Sequence, residues 1–282
     1  MTNVIAVTGA TGQLGRLAIA ALKARGATDL VALVRDTAKG ADLGVSLSVF
    51  DYHQPETFGA LKGVDTLVLI SSNDFNDRAG QHRAVIEAAK AAGVGRIVYT
   101  SILKGDASPM VMLAADHIAT EAALAASGLP HVVLRNGWHT ENYTGSLGAA
   151  LEHCAIIGAA DQGRLSTAAR ADYAEAIAVV AMDRAHDGKV YELAGDVAYT
   201  MADLAAVVSE VAGKPVAFVN MSQDEYAKAL EGFGLPAGFA AALAQSDAAA
   251  AHGALHDDSR SLSQLIGRPT TPMADTVRAA LA

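Results

Sequence analysis

A chain of 282 residues is long for one small domain and short for three, so one large domain, or a large and a small one, is expected. Hydrophobic residues make up 51% and charged residues 18%, enough to bury a sizeable core, which excludes an intrinsically disordered chain. The formal charge is -9, from 21 basic against 30 acidic residues, and no basic tract appears. Sequence-independent nucleic-acid binding and docking on an anionic membrane are therefore not expected, because both need clustered Lys and Arg. Cys154 is the only cysteine, so no intrachain disulfide and no multi-cysteine zinc site are possible, and a reducing compartment fits. The apolar run Val4 to Val7 breaks at Thr8-Gly9, too soon for a signal segment, and no uninterrupted apolar stretch of about 18 residues exists. The expected location is the cytoplasm.

In chain order, Val4 to Thr8 is a short β-rich run, followed by a glycine loop and a helical stretch from Gln13 to about Arg25, closed by Gly26. Leu30 to Val34, Leu47 to Phe50 and Thr66 to Ile70 are the next apolar runs. A helix is predicted over Arg78 to Ala92, with Gly93 as its stop; a strand over Arg96 to Thr100; a helix over Ala114 to Ala126; and a strand over His131 to Leu134. The strand runs are short and mostly continuous rather than alternating, which suits strands covered on both faces of a parallel sheet. The helices between them supply the crossovers. The expectation is an α/β fold: a Rossmann-like, doubly wound parallel sheet over residues 1–137.

After Gly137 the rhythm changes. Asn142 to His153, Ala171 to Asp183 and Met201 to Ala212 read as helices, with Thr200 and Asp203 as a capping-box variant. Lys189 to Leu193 and Pro215 to Val219 read as isolated strands, and 223–255 as Ala-rich helices interrupted by glycine and proline. Residues 138–282 are thus predicted to form a smaller, helix-rich lobe, partly interleaved with the first domain.

The strongest motif is Thr8-Gly9-Ala10-Thr11-Gly12-Gln13-Leu14-Gly15, which follows the first strand and opens the first helix. Gly9 permits the tight turn, Gly12 lets backbone approach a pyrophosphate, and Gly15 lets helix and strand pack closely; the helix N-terminus offers N–H groups to the anion. Twenty positions after Gly15, where NAD folds usually carry an acid, stands Arg35, whose guanidinium suits a 2′-phosphate; Lys39 adds charge. NADPH is therefore favoured over NADH. Asp36 is the alternative, a hydroxyl-binding acid if the strand ends one residue later. Asp51-Tyr52 either flanks the adenine or forms a plain Asx turn. Ser71-Ser72-Asn73, Thr100-Ser101 and Asn136-Gly137-Trp138 stand at strand ends, where ligands of such sheets bind.

With these residues the chain resembles the NmrA-like group of atypical short-chain dehydrogenase/reductases. The likeness sharpens through Leu69-Ile70-Ser71-Ser72, Gln81-His82-Arg83, Leu134 to Trp138, Glu141-Asn142-Tyr143, Arg170-Ala171-Asp172-Tyr173, Lys189 to Asp196 and Leu265 to Thr270. These motifs look like those of the bacterial type 2 NAD(P)H:quinone oxidoreductases, over nearly the whole length, with triphenylmethane-dye reductases as near relatives. The resemblance implies NADPH held by Gly9 to Gly15 and Arg35. It also implies contacts from Ser71, Ser72 and Asn73, from Asn136, Gly137, Trp138, His139 and Glu141, and from Arg170, Asp172 and Tyr173.

Ordinary short-chain dehydrogenases place a catalytic tyrosine, and a lysine four residues on, in the helix after the fifth strand. Here Leu113 and His117 stand at those places. Without a phenolic donor a simple ketone lacks help at its developing alkoxide, whereas a quinone or a triarylmethane cation accepts hydride without it. The expected partner is thus a small planar aromatic or quinone, reduced by two electrons. His117 is a candidate nicotinamide neighbour or proton relay, or else a partly buried structural histidine. Trp138, His139, Tyr143 and Phe75 are candidates for an apolar slot around a flat ring, with core packing the plainer reading of Tyr143 and Phe75. His252 and His256 near Asp257-Asp258 read as a solvated loop, so no metal is expected, and Cys154 reads as a buried, inert thiol in a helix. An NADP-binding sensor that controls a partner remains the alternative to an enzyme, and a homodimer is left open.

Overall fold

The computed structural model describes residues 3–74 and 76–282. In chain order the elements are β1 (Ile5–Val7), α1 (Gln13–Ala24), β2 (Leu30–Val34), β3 (Ser46–Val49), β4 (Thr66–Leu69), α2 (Arg78–Ala92), β5 (Arg96–Ile102), α3 (Val111–Ser127), β6 (His131–Asn136), α4 (Glu141–Thr144), α5 (Leu147–His153), β7 (Ala155–Gly158), α6 (Arg170–Met182), β8 (Val190–Leu193), α7 (Met201–Ala212), β9 (Ala217–Asn220), α8 (Gln223–Gly232), α9 (Ala237–Ala250), α10 (Ser261–Ile266) and α11 (Met273–Leu281).

Seven strands form one parallel sheet in the order β3-β2-β1-β4-β5-β6-β8. The chain winds outward from β1 toward β3, then returns and winds the other way from β4. This reversal places a switch point between β1 and β4, where Ile5 pairs with Leu30 on one side and with Thr66 on the other. The continuous apolar runs behave as their pattern demands: β1, β4 and β5 are buried at every residue. The doubly wound α/β expectation is borne out.

The residues cluster into two compact units. The first comprises Met1–Ile102, Asp116–Arg135 and Arg170–Tyr191. One face of its sheet carries Leu33, Leu67, Leu69, Ile97 and Tyr99 against Phe58, Leu61, Val85, Ile86 and Leu124, while α1 packs against α6. The second comprises Leu103–Ala115, Asn136–Ala169 and Glu192–Ala282. In it β7 and β9 pair in parallel, Ala155 with Ala217 and Gly158 with Asn220, and α7 packs on α11. Both capping-box acids reach back to their caps there: Thr200 with Asp203 at α7, and Ser222 with Glu225 at α8.

Four sequence readings are corrected. Lys189 to Leu193 is no isolated strand: β8 is the edge strand of the main sheet, beside β6. The helix expected over Asn142 to His153 breaks at Gly145-Ser146, residues of low helix propensity, where Ser146 Oγ instead donates to the Tyr143 carbonyl at 3.0 Å. Cys154 is neither helical nor buried: it turns α5 into β7 with a φ of 54°, and its thiol is exposed. Pro215 to Val219 is paired rather than isolated, and its partner β7 had no signal of its own.

Arg96, at the start of β5, is almost wholly buried, and its guanidinium reaches the Val180 carbonyl at 2.7 Å and Asp187 at 2.9 Å. A charge so enclosed depends on its partner. Asp187→Ala is expected to destabilise the fold by about 2–3 kcal/mol, and Asp187→Asn by less, as read from urea unfolding midpoints.

Candidate functional site

A cleft of about 690 Å³ opens in the first unit at the carboxyl ends of β1, β2 and β4. Its lining includes Gly9, Thr11, Gly12, Gln13, Leu14, Gly15, Arg35, Ser71, Ser72 and Asn73, so the structure gathers most of the residues that the motif reading singled out in the first half of the chain. Ala10 is fully buried beneath the loop.

The glycine loop explains itself sterically. Gly9 turns with a φ of 58°, a conformation that side chains resist. At Gly15 a Cβ would lie 2.3 Å from the Gly9 carbonyl oxygen and 2.7 Å from Ala10 Cα, so only glycine lets α1 start this close to β1. Gly12 caps α1 without a side-chain hydrogen bond, and the first turn holds no acid. Gly12 thus offers no side-chain acceptor to the leading N–H groups of this twelve-residue helix, and Gly12 to Gly15 line the cleft, an arrangement suited to a pyrophosphate.

The far wall carries the cations. Arg35 and Lys39 line the cleft and are exposed. Asp36 caps the turn after β2 by accepting the Ala38 N–H at 2.9 Å, and is absent from the lining. Its competing role as a ribose acid is thereby weakened on geometry. Arg16 is a residue that motif reading missed. It donates to the Thr11 carbonyl at 3.2 Å and the Lys39 carbonyl at 2.7 Å and pairs with Asp42 at 2.6 Å, tying the glycine loop to the segment that carries Lys39. Only its place beside Gly15 hinted at this, since its partners are remote in sequence. Asp51 lines the cleft and also makes the plain Asx turn, accepting the His53 N–H at 3.0 Å. Tyr52 spends its hydroxyl internally, 2.7 Å from both Thr8 Oγ1 and the Ile70 carbonyl.

His117 lies in the interior of the same unit, its Nδ1 2.8 Å from the Tyr99 hydroxyl. Burial, then the Arg78 charge and His82, holds its pKa down at about 3; the same burial and Arg78 hold His82 at about 3. His117 is neutral near pH 7 and carries no surplus proton to deliver. Leu113, at the place of the missing phenol, is a buried hydrocarbon. Ser101 is engaged by Glu121 at 2.6 Å, and Glu121 also pairs with Arg135 at 2.7 Å. Asp172 and Tyr173 are fully buried in α6, whereas Arg170, its first residue, is half-buried.

Asn136, Gly137, Trp138, His139, Glu141 and Tyr143 belong to the second unit. Gly137 N–H donates to the Leu193 carbonyl at 2.7 Å, and the Trp138 carbonyl accepts from Ala168 at 3.2 Å, so main-chain bonds hold this strand end. Trp138 and His139 are half-buried. Tyr143 is hydrogen-bonded to the buried Asp247; burial, then the Asp247 charge, pushes its phenol well above the ordinary value. Phe75 lies outside the described residues. Among the described residues no group of three or more His, Cys, Asp or Glu side chains gathers as a metal site, and no helix is long and apolar enough to cross a membrane.

Comparison with known proteins agrees with this geometry. The model of the family described as the NmrA-like family matches residues 1–265. Quinone oxidoreductase 2 of Escherichia coli strain K12 is 51% identical over 278 residues, covering 97% of each chain. The crystal structure of an NADPH-dependent quinone oxidoreductase from Escherichia coli, complexed with NADPH, superposes with a TM-score of 0.95 at 49% identity, covering 99% of this chain and 100% of that one. The triphenylmethane reductase of a Citrobacter species superposes with a TM-score of 0.91 at 36% identity, covering 99% of each chain.

The two buried imidazoles make stability pH-dependent. Their ordinary pKa of 6.5 falls to about 3 on folding, so between those values the unfolded chain binds more protons than the folded one. Their contribution is complete above about pH 6.5 and is lost progressively as the pH falls toward about 3. The urea midpoint should drop between pH of about 7.5 and about 5, and the drop should shrink in His117→Asn, which removes one of the two groups.

Proposed function

The chain belongs to the NmrA-like family, and from that premise we propose that it is an NADPH-dependent oxidoreductase that reduces quinones by two electrons to hydroquinones. The observation that carries this reading is the 51% identity, across 97% of both chains, to the quinone oxidoreductase of Escherichia coli.

The residues present fit the cofactor. The uncapped N-terminus of α1 and the glycine loop, which a side chain at position 15 would close, suit the pyrophosphate. Arg35 and Lys39 suit a 2′-phosphate, with Asp36 turned to its own backbone cap. Ser71, Ser72 and Asn73 form the rim at the end of β4. The further contacts proposed by resemblance are Asn136 to His139, Glu141, Arg170, Asp172 and Tyr173. Among the described residues the Asn136 amide oxygen is enclosed without a hydrogen-bond partner.

When bound, NADPH supplies a hydride from its reduced nicotinamide. The chain's task is then to hold the acceptor in line and exclude poor geometries. It offers no acid at the usual place, where Leu113 is apolar and His117 neutral. A quinone tolerates this: the charge left on it spreads through a ring that becomes aromatic, and water protonates it. Trp138 and Tyr143 are proposed as walls for that flat ring. A triarylmethane dye, itself a cation, is the second reading, favoured by the 36% identity to the Citrobacter reductase. A cytoplasmic location and assembly as a homodimer belong to the same proposal.

Purified protein should oxidise NADPH rapidly when a benzoquinone is added and slowly without it, followed by the loss of NADPH absorbance. Binding of NADPH with no quinone-dependent turnover would leave a sensor instead of an enzyme. Arg35→Ala should weaken NADPH about tenfold or more and NADH little, since only NADPH carries the phosphate that two guanidinium donors grip. Equal weakening of both, measured by fluorescence titration, would remove Arg35 from that role.

A further inference from the structure

Behind the rim at the end of β4 lies a buried polar layer that the chemistry above does not use. Ser72 is held there on both of its main-chain groups. Its N–H donates to His82 Nε2 at 2.9 Å, and its carbonyl accepts from Arg78 Nε at 2.5 Å. Arg78 and His82 stand four residues apart in α2, on one face of the helix, and both are buried.

The hydrogen-bond directions determine the state of the imidazole. Thr120, in α3, donates its hydroxyl proton to the Asp116 carbonyl at 2.7 Å. The Ser72 N–H can only donate, so Nε2 accepts and Nδ1 of the neutral ring carries the proton, facing Thr120 Oγ1 at 2.9 Å. Nε2 is then a bare lone pair, which is what the Ser72 N–H requires. The Thr120 hydroxyl, which can accept from Nδ1 while donating to the Asp116 carbonyl, fits the same tautomer. The Arg78 guanidinium is further placed 3.8 Å from the Asp116 carboxylate. The neighbouring Ser71 N–H donates to Thr100 Oγ1 at 2.9 Å. The N–H groups of both serines are thus committed to the interior.

We propose that His82 and Arg78 are positioning residues for the dinucleotide: they lock the Ser72 peptide so that the Ser71–Asn73 rim meets the cofactor in one fixed geometry. Burying a guanidinium and an imidazole costs desolvation that apolar side chains of equal volume would avoid. The return is a strand end whose polar groups are satisfied without help from the sheet. The proposal rests on reading the cleft as the NADPH site.

The test compares wild type with His82→Gln, His82→Asn and His82→Leu. A glutamine amide reaches the place of Nε2, an asparagine amide reaches only that of Nδ1, and leucine fills volume alone. Two quantities are measured: the NADPH dissociation constant, by nicotinamide fluorescence, and hydrogen exchange of the Ser72 amide in the ligand-free protein, by NMR. His82→Gln should keep Ser72 protected and NADPH affinity within about threefold. His82→Asn and His82→Leu should expose the Ser72 amide and weaken NADPH about tenfold, the value of one lost hydrogen bond. They should raise KM for NADPH more than they lower kcat.

Because a buried substitution can disturb folding, Thr120→Val provides a second arm. It removes the hydroxyl that faces Nδ1 while keeping shape, and should loosen Ser72 and weaken NADPH several-fold, with Thr120→Ser restoring both. Wild-type affinity in His82→Leu or Thr120→Val, or a Ser72 amide that stays protected in them, overturns the proposal. Failure of the wild type to bind NADPH overturns the reading of the cleft instead, and the exchange data still report on the clamp.

Discussion

The start of α1, pressed against the end of β1 with no side chain to cap it, is the constraint on which the rest of the site depends. A helix can begin there only because Gly15 has no Cβ to meet the Gly9 carbonyl. Its leading N–H groups then face a crevice rather than a capping carboxylate or hydroxyl. The strand order makes the crevice, since the chain turns back between β1 and β4 and leaves no crossover above that gap. A close packing contact and a topological reversal thus produce one anion-binding cleft. Arg16 stabilises its shape by joining the loop to the segment that brings Lys39 alongside.

Chemistry follows from what the interior withholds. Leu113 is a buried hydrocarbon, and the imidazole of His117 is neutral because burial and a buried guanidinium oppose its charge. Tyr99 is within reach of that imidazole, but its phenol is raised by burial and its hydroxyl is shared between His117 and Thr120. A site so built moves hydride without a matched proton. Acceptors whose charge delocalises suit it, and isolated ketones do not.

The polar side chains beneath the cleft share one duty. Where β4 ends, the sheet ladder no longer pairs the main chain of Ile70 to Ser72, and Thr8, Tyr52, Thr100, His82 and Arg78 take over. Each unpaired group would otherwise need water, which a cofactor must displace. Satisfying the strand ends from within keeps the rim rigid while leaving its outer surface to a ligand.

Local pattern was enough for much of this. The continuous apolar runs announced buried parallel strands, the capping box at Thr200 fixed the start of α7, and the glycine spacing with Arg35 pointed to a phosphate-rich ligand before any contact was known. These features are short-range: propensity, capping and loop sterics act between residues a few positions apart. What pairs across the chain was not legible. Lys189 to Leu193 could not be seen as a sheet edge, β7 had no signal until β9 lay beside it, and the exposed Cys154 depended on where α5 turned. The staple of Arg16 to Lys39 and the tautomer of His82 were decided only by tertiary structure. A charge or a proton takes its role from neighbours within a few ångströms, and folding alone brings those neighbours from distant parts of the chain.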